Sequence, residues 1–433
     1  MLIQFAVKNF RAFKDKATLS LVASGYDKNS NLENIIEGSP SNLRILKSAV
    51  IFGANASGKT KFMEALMFMK YFVISSSKNT LTGDKIKVEP FRLSTETEDM
   101  PSEFEIVFVF KNECYRYGFE VNQDVVVSEW LYHKPHKKEI ELFYRDYQEF
   151  EIHNRNFSKG NTVVKQELVR ENALLISVAA QFNDTISNNV IEWFANLKIL
   201  SGLSEEGYHG YTMSKTESTA HKSKILDLLK AADLGIQDIK LEKADLNQLP
   251  KEVQKTIKEK ILIDSNEDFE YLDIVTFHKK YDENKKASSK LVDFSLEDDE
   301  SSGTNKFYSL TGPILDVLEN GYTLVIDELD SKLHTNLVFK IISMFNSNEI
   351  NKNNAQLIFN SHNTNLLDSE LFRRDQVWFT EKDKYGESRL YSLADFKSDD
   401  VRKNESFEDN YIRGKYGAVP YLAYFDNLDK TLR

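Results

Sequence analysis

The chain has 433 residues, with 56 lysines and arginines against 67 aspartates and glutamates, so its formal net charge is −11. At 41% hydrophobic and 28% charged residues it has the composition of a globular protein, not of a disordered, collagen-like or disulfide-stapled one. The acidic balance argues against an overall basic nucleic-acid binder but leaves a local basic groove open. The single cysteine, Cys114, excludes an internal disulfide and a Cys-cluster zinc site.

No apolar run is long enough to span a membrane, and the first residues mix charges into their apolar stretch. The expectation is therefore a cytoplasmic protein with no membrane partner. Residues 2–10 and Ala17 to Ala23 read as strands, and 24–45 as a polar loop. Leu46 to Phe52 is a short apolar run ending at glycine, the pattern of a buried strand. Phe62, Leu66 and Met69 then recur at helical spacing. Residues 103–132 form three β-branched and aromatic runs with short polar breaks, an antiparallel meander that 139–152 continues. Residues 165–200 read as helical. Residues 201–300 are richer in Lys, Glu, Asp and Ser, with helical patterns at 221–234 and 250–262 and a strand at 271–278. The division expected is 1–200 and 300–433 as two halves of one head, with 201–299 as a helical lobe. Further strands are expected at 322–327, 356–361, 376–380 and 388–393.

Gly53-Ala54-Asn55-Ala56-Ser57-Gly58-Lys59-Thr60 matches the phosphate loop Gly-x4-Gly-Lys-Ser/Thr in full. A chance match in a chain of this length is expected about one or two times in a hundred, and a strand precedes it and a helical pattern follows. Its glycines let backbone N–H groups curve around phosphates at the positive end of the next helix. Lys59 would reach the β- and γ-phosphates and Thr60 would ligate Mg²⁺. The expected ligands are thus ATP and Mg²⁺.

Thr323 to Glu328 is an apolar strand ending in two carboxylates. Adjacent strand residues point to opposite faces, so the chain must turn there for both to approach a nucleotide. Asp327 is the expected Mg²⁺ partner of Thr60, and Glu328 the base that orients the attacking water. Three further segments bear on the class of site. Ser302-Gly303, before a helical pattern, offers a second anion-binding helix start. Asp330-Ser331-Lys332 follows the carboxylate strand. His362 ends the apolar run QLIFNS, where it could contact a γ-phosphate.

In order and spacing, these motifs resemble the ABC-type ATPases, α/β heads with an antiparallel β subdomain and a lobe. That resemblance implies two heads facing each other, Ser302 and Gly303 of one copy capping the nucleotide of a second copy, and His362 acting within its own head. The signature reads ESSGT where transporters carry LSGGQ-like sequences. The pattern is closer to SMC and Rad-type repair heads and to overcoming-lysogenisation-defect nucleases. NFRAF at 9–13 resembles an element of repair heads whose arginine touches nucleotide, which gives that role to Arg11, with a plain surface arginine as the alternative. The family's glutamine loop falls on Gln181 as a metal ligand, with Gln123, Gln148 and Gln166 as competitors.

Together with IDELDSKLH, FNSHN, QVWFTEKD and YIRGKYGAVP, the motifs resemble the stand-alone bacterial ATPases of the RloA or AbiL-like group. This implies a sensor or scaffold in anti-phage defence, with a nuclease, TOPRIM-like or toxin effector and DNA or a phage protein as trigger. A DNA-repair or chromosome ATPase is the alternative. His133 and His136 read as a solvated loop, and YIRGKYGAVP either as a packed tail or as a docking element.

Overall fold

The computed structural model describes residues 1–25, 30–40, 43–78, 81–136, 138–243, 272–397 and 405–421; the expected helix at 250–262 lies outside them. The contacts divide the chain into two units. The first holds residues 1–203, 317–331 and 338–433, the second 204–316 and 332–337.

In the first unit, β1 (Leu2–Lys8) pairs antiparallel with β2 (Ala17–Ser20). The short β3 (Ile35–Ile36) and β4 (Ile45–Leu46) lead to β5 (Ser48–Gly53), every residue of which is buried. Helix α1 (Lys59–Ser75) follows the phosphate loop. The meander is β6 (Ser102–Phe110), β7 (Glu113–Val121), β8 (Val126–Lys134), β9 (Ile140–Asp146) and β10 (Glu149–Ile152). It joins β1 and β2 in one antiparallel sheet of order β10-β9-β8-β7-β6-β1-β2. Alternating burial along β6 is what a sheet covered on one face requires.

The stretch read as continuous helix breaks into α2 (Ser158–Lys165), α3 (Leu175–Gln181) and α4 (Thr185–Asn196). Asp184 separates the last two, its carboxylate accepting from the Ser187 N–H at 2.8 Å as an N-cap. The four-residue strand β11 (Lys198–Ser201) completes this part.

The second unit contains α5 (Glu206–Thr216), α6 (Thr219–Ala231), a three-stranded antiparallel sheet of β12 (Ile236–Lys243), β13 (Leu272–Tyr281) and β14 (Ala287–Ser295), and the start of α7 (Ser302–Asn320). The expected helical lobe is therefore mixed. β13 is the strand expected at 271–278, but β12 and β14 are polar, so alternation of hydrophobicity does not reveal them.

The chain then adds β15 (Thr323–Asp327), α8 (Thr335–Asn346), β16 (Gln356–Asn360), β17 (Val377–Lys382), β18 (Ser388–Ser392) and α9 (Phe407–Ile412). These build the second sheet of the first unit, in order β11-β15-β16-β5-β17-β18. Neighbours from β11 to β17 run parallel, and β18 closes the edge antiparallel. The architecture is the expected α/β head.

Helix α1 packs its aromatic side chains against the antiparallel sheet. Phe62 meets Phe5 of β1 at 5.3 Å, and Phe68 meets Phe104 of β6 at 5.0 Å. Gln356, fully buried, stitches β1 to the parallel sheet by donating to the Leu2 and Leu46 carbonyls at 2.9 and 3.0 Å. Tyr411 of α9 stacks on Phe379 at 5.4 Å and Tyr416 is buried, so the C-terminal segment packs on the head.

Candidate functional site

Parallel strands expose their C-terminal ends along one edge, and ligands of open α/β sheets bind there. In this sheet the register aligns Ser201 with Asp327, Ile326 with Phe359, Asn360 with Ile51, and Gly53 with Thr380. The ends of β11, β15, β16, β5 and β17 thus form one row, and every expected site residue of β5 and β15 lies on it.

The phosphate loop leaves β5 through backbone that few side chains tolerate. Gly58 has φ +115° and Ala56 +61°, both in the left-handed region. A Cβ on Gly53 would fall 2.4 Å from the Thr380 carbonyl oxygen, and one on Gly58 2.8 Å from Ser388 Oγ. The β17–β18 hairpin therefore presses on the loop from behind, and Ser57 and Thr380 share a hydroxyl hydrogen bond of 2.7 Å. Lys59 folds into the loop, its Nζ donating to the Gly53 and Ala54 carbonyls at 2.8 and 3.1 Å. Burial pulls its amine down to about 8, against which the carboxylates of Glu328, Asp327 and Asp330 act.

Thr60 donates its hydroxyl to Asp327 Oδ1 at 3.2 Å. Asn360, at the end of the neighbouring strand, donates its side-chain N–H to the same carboxylate and accepts the Glu328 backbone N–H at 2.6 Å. Glu328 sits at φ +55°. This is the turn that the alternating strand geometry demanded: it swings Glu328 out of strand register and into the cleft, while Asp327 stays at the strand end against Thr60. A left-handed non-glycine costs about 1 kcal/mol, and the Asn360 bond holds it in place.

The cleft, about 650 Å³, is lined by the loop from Asn55 to Thr60, by Arg11, Glu328 and His362, and by Pro90 to Leu93. The His362 backbone N–H lies 3.4 Å from the Asp330 carboxylate. Burial, then the Lys59 charge, lowers its imidazole pKa, so the ring is largely neutral at pH 7.

Other expectations meet the structure unevenly. Arg11 reaches the cleft at φ +49°, but its guanidinium is engaged by Glu64 and, at 3.0 Å, by Glu89. Ser302 and Gly303 lie in the second unit at the start of α7, exposed and half-buried respectively. The cap is the preceding residue: Ser301 Oγ accepts the Thr304 N–H at 3.1 Å.

Gln181 is misplaced as a metal ligand. It ends α3 and donates to Ser77 at 2.8 Å, beyond the far end of α1. That helix has 17 residues, which puts the glutamine about 25 Å from Thr60. The apolar run before it belongs to a helix that packs against the C-terminal end of α1.

The strand end beside Asp327 is instead Ser201-Gly202. The Gly202 N–H donates to the Asp327 carbonyl at 2.6 Å, and a Cβ there would strike the Glu328 carbonyl. Four residues of strand at the end of a helical stretch left no periodic signal. Asn360 was also missed, although its place one residue after an apolar run was visible. His133, expected in a solvated loop, is instead buried on β8, where its ring donates to the Glu113 carboxylate at 2.9 Å and stacks on Tyr115. Among the described residues no group of three or more His, Cys, Asp or Glu is placed to hold a metal, and no helix is long and apolar enough to cross a membrane.

For Mg²⁺ the fit rests on the donor set. A hydroxyl and a carboxylate oxygen already within 3.2 Å, next to a loop built for phosphate, are the hard oxygen ligands that magnesium takes.

Comparison with known proteins gives the family. A family model described as "AAA domain, putative AbiEii toxin, Type IV TA system" matches residues 48–368. No curated protein sequence matches. Among solved structures, an SMC head bound to the C-winged helix domain of ScpA is similar at TM-score 0.43 and 12% identity, covering 90% of this chain and 97% of that one. The SMC head domain from Thermotoga maritima is similar at 0.41 and 12%, covering 90% and 98%. The family match spans most of the chain and takes in the phosphate loop, the carboxylate strand and His362, so the protein belongs to this AAA-domain family of P-loop ATPases.

Proposed function

We propose that the protein binds and hydrolyses ATP in the cleft at the strand ends, and that two copies close around the nucleotide to control an effector in anti-phage defence. The observation that carries this reading is the convergence of Lys59, Thr60, Glu328 and His362 on one cleft, with Asp327 bonded to Thr60 behind it.

The residues divide the work as follows. Loop N–H groups and α1 bind the phosphates. Lys59, now held by two carbonyls, turns to the β- and γ-phosphates, whose negative charge raises its pKa again. Thr60 and Asp327 would hold magnesium, which would supply positive charge to neutralise the phosphates. Glu328 accepts a proton from the attacking water and orients it, with Asn360 fixing the backbone from which it projects. His362 donates its ring N–H to the γ-phosphate. Ser302 and Gly303 of a second copy would cap that phosphate, so closure depends on it and its loss reopens the pair. The family description, which names a toxin and a type IV toxin–antitoxin system, supports an effector of nuclease or toxin type as partner.

The test is Glu328→Gln with ATP, read by mass in solution. The variant should accumulate a species of twice the mass with ATP and not with ADP, and Lys59→Ala should not. If ATP leaves the mass unchanged, the two-copy model fails. If Lys59→Ala still binds ATP, the site itself is wrong.

A further inference from the structure

The second unit carries a feature that nucleotide chemistry does not use. From Lys279 to Leu291 all thirteen residues are exposed, yet β13 and β14 stay paired there, with a register shift between Lys279 and Tyr281. This stretch holds Lys279, Lys280, Lys285, Lys286 and Lys290 against two acids, Asp282 and Glu283. The base of the same ribbon is acidic, with Asp273, Asp293, Glu297, Asp298, Asp299 and Glu300. Charge is thus segregated along the ribbon, basic at the tip, in a protein of net charge −11.

The tip is also preshaped. Asp282 Oδ1 accepts the N–H groups of Asn284 and Lys286 at 2.9 and 2.8 Å, so its carboxylate is occupied by backbone. Among the described residues none of the five lysines lies in an ion pair. Tyr281 and Leu291 are 59% and 45% exposed, and Lys279 pairs with Leu291 and Tyr281 with Ala287 across the strands. The lysines are spread over both strands and the turn: Lys279 and Lys280 on β13, Lys285 and Lys286 in the turn, and Lys290 on β14.

We infer that this ribbon is a nucleic-acid contact, with its lysines on the phosphates either side of a duplex DNA groove. A groove about 12 Å wide admits a two-stranded ribbon and presents phosphates on both sides, whereas the deep, narrow groove of duplex RNA does not.

The base of the ribbon connects to the start of α7. Glu300 Oε1 accepts from Thr276 Oγ1 at 2.7 Å and meets His278 Nε2 at 2.6 Å. Asn305 of α7 donates to the Leu296 carbonyl at 2.5 Å. A load on the ribbon therefore reaches Ser301 and Ser302 through side-chain bonds. Only this coupling rests on the nucleotide reading; DNA binding does not.

The experiment uses full-length protein and a labelled duplex of about 30 base pairs, roughly three turns, read by anisotropy from about 50 to 200 mM salt. Wild type should bind, and log K should fall with log salt with a slope of about −3 to −5. Lys285→Gln with Lys286→Gln should weaken binding at least tenfold and reduce the slope by about 2, roughly one per phosphate contact removed. Circular dichroism should show both forms folded. Lys59→Ala should lose ATP and keep DNA, and His278→Ala should keep DNA and lose any DNA-dependent change in ATP turnover. The contact is overturned if wild type does not bind, or if the double variant binds equally well. It is also overturned if single-stranded RNA or vesicles of phosphatidylcholine with phosphatidylglycerol bind in a lysine-dependent way and the duplex does not. DNA-dependent turnover that survives His278→Ala overturns the coupling alone.

Discussion

At the scale of residues, Lys59 is held in a place that suits phosphate better than it suits the empty protein. Burial brings its amine to about 8, against 10.5 in the unfolded chain. Between those values the unfolded chain holds more protons, so this group makes the nucleotide-free protein more stable as pH rises from about 8 to 10.5. Lys59→Met should therefore raise the melting temperature of the nucleotide-free protein at pH 7 by about 2 °C, and abolish the further rise that ATP gives. Differential scanning fluorimetry with and without ATP reads both. Asn360 makes a different kind of contribution, since it touches Asp327 and the Glu328 backbone and no expected nucleotide atom. Asn360→Ala should lower turnover at saturating ATP about 100-fold while changing ATP affinity less than about threefold. Phosphate release and equilibrium titration separate the two. The motif residues of the loop and of the carboxylate strand were legible in the sequence because their spacing is local. Asn360 was not, because its role arises from lying beside Asp327 on a strand 33 residues away.

At the scale of elements, the antiparallel sheet is pinned to α3 by one buried acid. Glu129 and Arg145 are fully buried, 3.6 Å apart. Glu129 also accepts the Leu175 and Ile176 N–H groups at 2.7 and 3.1 Å and the Tyr117 hydroxyl at 3.0 Å. It is thus both an ion-pair partner and a cap for the helix start. Burial raises its pKa, opposed by Arg145 and these donors. Glu129→Gln leaves Arg145 buried without a countercharge and should cost about 3 kcal/mol in urea unfolding. The meander and the phosphate-loop strand were predicted correctly, as long runs of β-branched and aromatic residues with clean breaks. The strands β11, β12 and β14 were not, because the first is four residues long and the others are polar. Gln181 shows the related error: an apolar run followed by glutamine is the same string whether it leads to the site or to the far end of α1.

For the whole molecule, the two-copy model makes a quantitative statement about mixtures. Lys59→Ala has an intact Ser302 segment, and Ser302→Glu has an intact phosphate loop. Each alone should be inactive, because both of its composite sites lack one half. In an equal mixture about half the pairs are hybrids with one complete site, so activity should recover to about a quarter of wild type. A mixture that stays inactive would mean that each copy hydrolyses without its neighbour's signature segment. Net charge, which first argued against a nucleic-acid binder, is a property of this same scale. It averages over the ribbon from Lys279 to Lys290, where five lysines face two acids.

The sequence by itself determined that this is a P-loop protein with a carboxylate strand, since a contiguous motif of eight residues and an apolar run ending in two acids need no partner in space to be recognised. Only the tertiary structure decided which other residues stand with them. Asn360, Ser201-Gly202 and Thr380 reach the site through parallel strand register, and Gln181 leaves it through the length of α1. Sheet order and helix length are set by packing between segments far apart in the chain, and no local pattern encodes them.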